Sequence, residues 1–297
     1  MSGEEVRLNN QQRTIGTVVE YSGVGLFTGE KTKLCFKPSP EDTGVSFVRS
    51  DVEGRPLISA TTESVSDCKL NISLRKDGVG VKSIEHVMAA LAGLGIDNIE
   101  IELSGNEVPA GDGSSLLFSR LLKEAGVVHL EKPKRDLFLQ SKLEVRDGDA
   151  SIVALPWGKG LSLSYILDFN GSFLNRQCFE IELTEQNFFT QIAPARTFGL
   201  STAVEEFRRL GLGKGITDDN TFVLQEDGTI TKPLSMVPAT LRFPDECARH
   251  KILDIIGDLY LTNLVLHARI IATKSGHSLN ARMAKKIIEI SKNQTNN

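Results

Sequence analysis

Glu131-Lys132-Pro133-Lys134-Arg135-Asp136, a charged run broken by one proline, divides the 297-residue chain into two stretches that each begin with strands and end with helices. Proline disfavours continuation of a helix or a central strand, and a charged run has little to bury, so the segment reads as a linker. We expect a first α+β unit over residues 1–130, a linker over 131–136 and a second unit over 137–297. Upstream, Ile15 to Tyr21, Thr32 to Lys37 and Val45 to Val48 are β-rich runs closed by Gly, Pro or Asp. The Ala- and Leu-rich run from Ile84 to Leu91 favours helix, with Ser83 as N-cap and Gly93 and Gly95 as its stop. Ile99, Ile101 and Leu103 then share one strand face, and a second helix runs from Ser115 to Glu124.

Downstream, the same order of elements returns. A hairpin-like pair surrounds Asp147-Gly148, and the alternating segments LSLSYILDF and FEIEL follow. Thr202 to Leu210 turns helical, with Thr202 and Glu205 spaced as a capping box. A long helix from about Asp245 to Thr262 precedes the strand ARIIATK and a last helix ending near Lys292. The parallel order hints at a duplication, although no fixed-period repeat supports it.

Composition narrows the function classes. A 40% hydrophobic content supports a sizeable core, and a net charge of −4 with interspersed signs argues against nucleic acid as a partner. Cys35, Cys68, Cys178 and Cys247 lack CxxC spacing, as expected of reduced thiols in the cytoplasm. The opening residues are too polar for a secretory leader, and no apolar run reaches the ~18 residues of a membrane span.

The chemistry concentrates in CARHKILDIIGDLYL, where His250, Asp254 and Asp258 stand four residues apart. On a helix these lie on one stripe, within ~80° of arc and ~6 Å apart per step. An imidazole and a carboxylate on adjacent turns can share a metal, leaving Asp258 to hold another group. A solvated charged face is the plain alternative, but Ile252, Leu253, Ile255, Ile256 and Leu259 make the helix apolar around much of its circumference. In SIEHVMAALAGLG, Glu85 and His86 diverge by ~100°, so one can ligate while the other works as a base. A satisfied core histidine beside an exposed glutamate would look the same. In TKSGHSLN, His277 falls at a helix start, where a cationic imidazole needs a carboxylate such as Asp258. PARTFGL offers the Thr197 hydroxyl and the Phe198 ring, EVPAGDGSS a tight loop, and both can equally be turns. SGVGLFTG lacks the spacing and context of a nucleotide loop and is set aside. His129 and His267 read as structural.

Taken together, SIEHVMAALAGLGIDN, PARTFGL, RHKILDIIGDL and KSGHSLN, in that order, resemble the UDP-3-O-acyl-N-acetylglucosamine deacetylase family, zinc amidases of lipid A biosynthesis. The resemblance spans nearly the whole chain. It implies His86, His250 and Asp254 as zinc ligands with water in the fourth position, although iron(II) also suits these donors. It further implies Glu85 as general base, Thr197 as an oxyanion partner, His277 as general acid and Asp258 as the residue orienting it. Lys251 and Lys274 match positions near the substrate's charged portion, and Phe198 an aromatic near the nucleotide. The implied fold is two α+β domains whose helices are sandwiched between two sheets, with the metal between domains and an acyl-chain passage formed by an insertion near 200–224. Asp218, Asp219 and Asn220 are unexpected in such a passage. Asn71 stands where some relatives carry Cys, and Cys247 is a further local difference. The implied partner is an acylated UDP-N-acetylglucosamine, handled by a cytoplasmic monomer in transient contact with the inner membrane surface. Two rivals remain: a zinc amidase without UDP dependence, and a scaffold with structural zinc or none.

Overall fold

Alternating apolar residues close into two sheets with the same strand order in the computed structural model, which describes residues 10–169 and 176–295. Residues 1–9, which include most of the polar opening, lie outside the described residues. The first sheet comprises β1 (Val19–Val24), β2 (Lys31–Pro38), β3 (Val45–Arg49), β4 (Leu57–Ser59) and β5 (Ile99–Leu103), ordered β1-β2-β5-β3-β4. The second comprises β7 (Leu143–Asp147), β8 (Ala150–Pro156), β9 (Leu161–Leu167), β10 (Gln177–Glu182) and β11 (Val265–Thr273), ordered β7-β8-β11-β9-β10. A short β6 (Asp136–Phe138) adds to β11 in parallel. In each sheet the last strand enters the middle, antiparallel to the second strand and parallel to the third.

A helix precedes each central strand and another follows it. These are α1 (Glu85–Leu94) and α2 (Leu116–Glu124) around β5, and α4 (Glu246–Leu259) and α5 (His277–Thr295) around β11. Val87, Met88, Ala90 and Leu91 of α1 pack with Phe36, Phe47 and Ile101 in one core. Ile252, Leu253, Ile255 and Ile256 of α4 pack with Leu163, Tyr165, Ile270 and Met283 in the other, and Ala89 of α1 reaches into it. Helices α1 and α4 meet closely because Gly257 has no side chain. A Cβ there would fall 2.1 Å from the Glu85 carbonyl oxygen, inside any contact distance.

Several local expectations are corrected. Ile15–Tyr21 is two strands: Gln11–Ile15 pairs with Val127–Pro133, while the Gly16 and Thr17 N–H groups turn to the Ala125 carbonyl. The run 131–136 therefore contains the end of one strand and the first residue of β6. Ser83 does not cap α1. It sits at φ +58° with its hydroxyl on Glu107 Oε1 at 3.2 Å, and Ile84 occupies the cap position. Gly93 lies within α1, clearing room for the Phe188 ring, and Gly95 at φ +64° ends the helix. Helix α3 (Ser201–Arg209) starts after Leu200 with no side-chain cap, so Thr202 and Glu205 form no capping box. The Asp147-Gly148 hairpin and the remaining long elements match the sequence reading.

Candidate metal centre

His250, Asp254 and Asp258 occupy successive turns of α4 and are all buried. His250 Nδ1 donates to the Ala195 carbonyl at 3.1 Å, which fixes the hydrogen on that nitrogen and leaves the Nε2 lone pair free. That lone pair faces Asp254 Oδ1 at 3.3 Å, and His86 Nε2 stands 4.0 Å from the same oxygen. The two imidazole rings meet edge to face at 5.1 Å between centroids. Burial, reinforced by the neighbouring His250, drives the His86 pKa down to about 3, and burial also lowers that of His250. Both rings are therefore neutral. Burial opposes the Asp254 charge, but the Lys251 ammonium bonded to it helps to outweigh that and keep the carboxyl ionised.

Asp254 Oδ1 is buried without a hydrogen-bond partner among the described residues. A buried charged acceptor left in that state costs more than the ~1–3 kcal/mol of a neutral one. The lone pairs of His86 and His250 repel it further. A cation resolves both problems, and one donor atom from each of His86, His250 and Asp254 can be chosen so that all lie within 4.8 Å of one another. The donor set fits a divalent metal. Lys251 Nζ bonds the other Asp254 oxygen at 2.8 Å, which leaves Oδ1 as the oxygen that would meet a cation.

Every expected site residue except Asp258 lines one cavity of 460 Å³. Glu85 accepts the Ile72 N–H at 2.9 Å, and burial raises its pKa to about 7 against the nearby His277 charge. His277, the first residue of α5, donates from Nδ1 to Asp258 Oδ2 at 2.8 Å. Burial lowers the His277 pKa, but Asp258 and Asp254 reverse that and lift it to about 9. Asp258 lies behind His277, away from the cavity lining and fully buried. Thr197 and Phe198 are held by the start of α4: the buried Glu246 accepts from the Arg196 N–H at 3.0 Å and from Arg196 Nε at 2.9 Å. The Thr197 N–H donates to the Gly113 carbonyl at 2.7 Å. The Phe198 ring lies 6.1 Å from His250 with Lys251 Nζ 5.5 Å above it. Lys274, at φ +53°, pairs with Asp149 at 2.6 Å.

Part of the remaining lining is apolar. Ala203, Val204 and Phe207 share one face of α3 with Leu200 just before it, and Phe207 meets Phe27 edge-on at 6.0 Å. Asp218, Asp219 and Asn220 do not line it. Asp218 accepts the Leu234 N–H, and Asn220 ties Thr217 to Gly215 within the loop, which explains polar residues beside an apolar cavity. Sequence reasoning missed Leu26 and Phe27, dismissed with their glycine-rich loop, although an apolar pair inside a turn was the available signal. It also missed Tyr165 and Asn280, which nothing in the local pattern marked. His267 is structural as expected, bonded to Asp136 and to the Gly160 N–H, both at 2.7 Å.

Comparison with known proteins gives one consistent result. Residues 12–289 match the family described as LpxC, UDP-3-O-acyl N-acetylglycosamine deacetylase. The chain is 40% identical over 277 residues to a UDP-3-O-acyl-N-acetylglucosamine deacetylase of Anaeromyxobacter dehalogenans, covering 93% of this chain and 87% of the relative. It is 38% identical to the protein of that name from Myxococcus xanthus, over 93% and 86% of the two chains. For that of Chromobacterium violaceum the identity is 39%, over 94% and 90%.

Proposed function

The chain belongs to the LpxC family, UDP-3-O-acyl N-acetylglycosamine deacetylase, and from that premise we propose a reaction for its cavity. The enzyme hydrolyses the N-acetyl group of UDP-3-O-acyl-N-acetylglucosamine, giving UDP-3-O-acyl-glucosamine and acetate, the deacetylation step of lipid A biosynthesis. The observation that carries the residue assignment is the convergence of His86, His250 and Asp254 in a cavity that Glu85 and His277 also line. His86, His250 and Asp254 would hold a divalent cation, which would supply Lewis-acid polarisation of a water and of the amide carbonyl. Zinc is the proposed metal, and iron(II) suits the same donors.

Glu85 takes a proton from the attacking water, and a pKa near 7 suits a base working at neutral pH. The Thr197 hydroxyl donates to the oxyanion that develops as the carbonyl becomes tetrahedral. His277, kept protonated by Asp258, delivers its proton to the amine nitrogen as the C–N bond breaks. Lys251 and Lys274 hold the substrate's charged portion, Phe198 packs near the nucleotide, and the α3 stripe with Leu26 and Phe27 receives the acyl chain.

We place the enzyme in the cytoplasm as a monomer that touches the inner membrane surface transiently. Free cysteines, and the lack of any helix long and apolar enough to cross a membrane among the described residues, support that placement. Division into units 1–130 and 137–297, with helices layered between the sheets, is proposed with it, supported by the two cores and the α1–α4 contact. The test is deacetylation of the acylated UDP-sugar against unacylated UDP-N-acetylglucosamine, repeated with a chelator and with Glu85→Ala. Turnover of the acylated sugar alone, lost on chelation and cut ~100-fold or more by Glu85→Ala, is expected. Turnover indifferent to Glu85 would sink the mechanism.

A further inference from the structure

Asp258 Oδ2 accepts two hydrogen bonds: one from His277 Nδ1 at 2.8 Å and one from Asn280 Nδ2 at 2.9 Å. His277 and Asn280 are three residues apart on α5, so both side chains leave the same face of the helix. Asn280 is 1% exposed, and its Oδ1 has no hydrogen-bond partner among the described residues. The amide orientation is fixed by charge, since turning Oδ1 toward the carboxylate would set two acceptors against each other. A leucine of similar volume would leave no unmet acceptor, so packing alone does not explain an amide here.

We propose that Asn280 is a positioning residue of the deacetylation: its Nδ2–H fixes the Asp258 carboxylate that in turn orients and charges His277. The proposal rests on the reading of His277 as the general acid. Asp258 is fully buried, and burial works against its charge. A second donor on the same oxygen favours the ionised carboxylate without contributing a competing charge. It also restrains rotation of the carboxyl group, so the Nδ1–H bond holds the His277 ring in one orientation. The charged and titratable groups that His277 faces are Asp258 and Asp254 from α4 and Glu85 from α1, with His86 and His250 beyond them. None of these replaces the Asn280 donor.

The experiment is a double-mutant cycle on the metal-loaded enzyme with the acylated UDP-sugar, using Asn280→Leu, His277→Ala and the double variant. Metal content and melting temperature are measured for each, and Asn280→Ala serves as a second variant if leucine disturbs the fold. Asn280→Leu should lower kcat about tenfold with KM unchanged and move the alkaline limb of the kcat profile to lower pH. In the His277→Ala background it should cost nothing more, because the group it positions is gone. A wild-type kcat and alkaline limb in Asn280→Leu and Asn280→Ala would overturn the proposal. So would the same loss in both backgrounds, while the His277 reading survived. A fully active His277→Ala enzyme would overturn that reading and this proposal with it.

Discussion

Two histidine–aspartate pairs are built on aspartates one helical turn apart on the same stripe of α4, and they hold opposite protonation states. His250 beside Asp254 is neutral, whereas His277 beside Asp258 is charged at neutral pH. Residue type does not separate them, and neither does burial, because all four are enclosed. The company of each carboxylate does. Asp254 is shared among His86, His250 and Lys251, and His250 gives its only hydrogen to the Ala195 carbonyl. Asp258 receives the His277 hydrogen directly, with Asn280 as the second donor. A shared carboxylate facing lone pairs suits the proposed metal ligand, and a dedicated one facing an N–H suits the partner of the proposed acid.

Removing the ligand side should have the largest effect. His250→Ala leaves Asp254 and His86 without a third donor, and the expected loss in kcat/KM exceeds ~10³-fold with loss of bound metal by elemental analysis. A variant that keeps its metal and most of its activity would break the distinction between the pairs. On the acid side, His277→Ala should lower kcat by ~100-fold while metal content stays at the wild-type level. Metal lost from this variant would mean that the second pair also serves the first.

Asp258→Asn sharpens the contrast by removing the charge but not the shape. In the proposed role His277 acts when protonated, and its raised pKa keeps it so until about pH 9. Wild-type kcat should therefore fall as pH rises through about 9. Without the carboxylate, the limb should move toward the ordinary histidine value of ~6.5, with a loss at pH 8 of tenfold or more. An alkaline limb that stays near 9 in the variant would assign it to another group.

Much of the contrast was legible in the sequence, because His250, Asp254 and Asp258 are bound by helix geometry and their spacing alone sets them on one stripe. Assigning His277 to Asp258 needed only the electrostatics of a helix start. What the sequence did not carry was contact between distant segments. His86 reaches Asp254 because Gly257 lets the α1 backbone approach α4, and a glycine inside an apolar helix looks merely tolerated until its neighbour is known. The shared strand order was likewise weak in sequence, since the two halves repeat topology without repeating residues. The capping expectation at Ser83 failed for a related reason. Ser83 is drawn to Glu107, which also binds the Phe27 and Thr28 N–H groups, so a tertiary partner outcompetes a local one.

The smallest expected effect concerns the approach to the acid pair. Tyr165, buried in the second core, donates its hydroxyl hydrogen to the Ser275 carbonyl at 2.6 Å, two residues before His277. That bond ties β9 to the turn that launches α5, so it sets where the His277 ring begins. Tyr165→Phe keeps the ring and removes only the donor, leaving a buried carbonyl unmet at a cost of about 1 kcal/mol in stability by denaturant titration. The kcat should fall only a few-fold, since Asp258, itself bonded by Asn280, still holds the imidazole, and metal content should not change. A loss as large as that of His277→Ala would show that the acid is positioned by its backbone rather than by the carboxylate behind it.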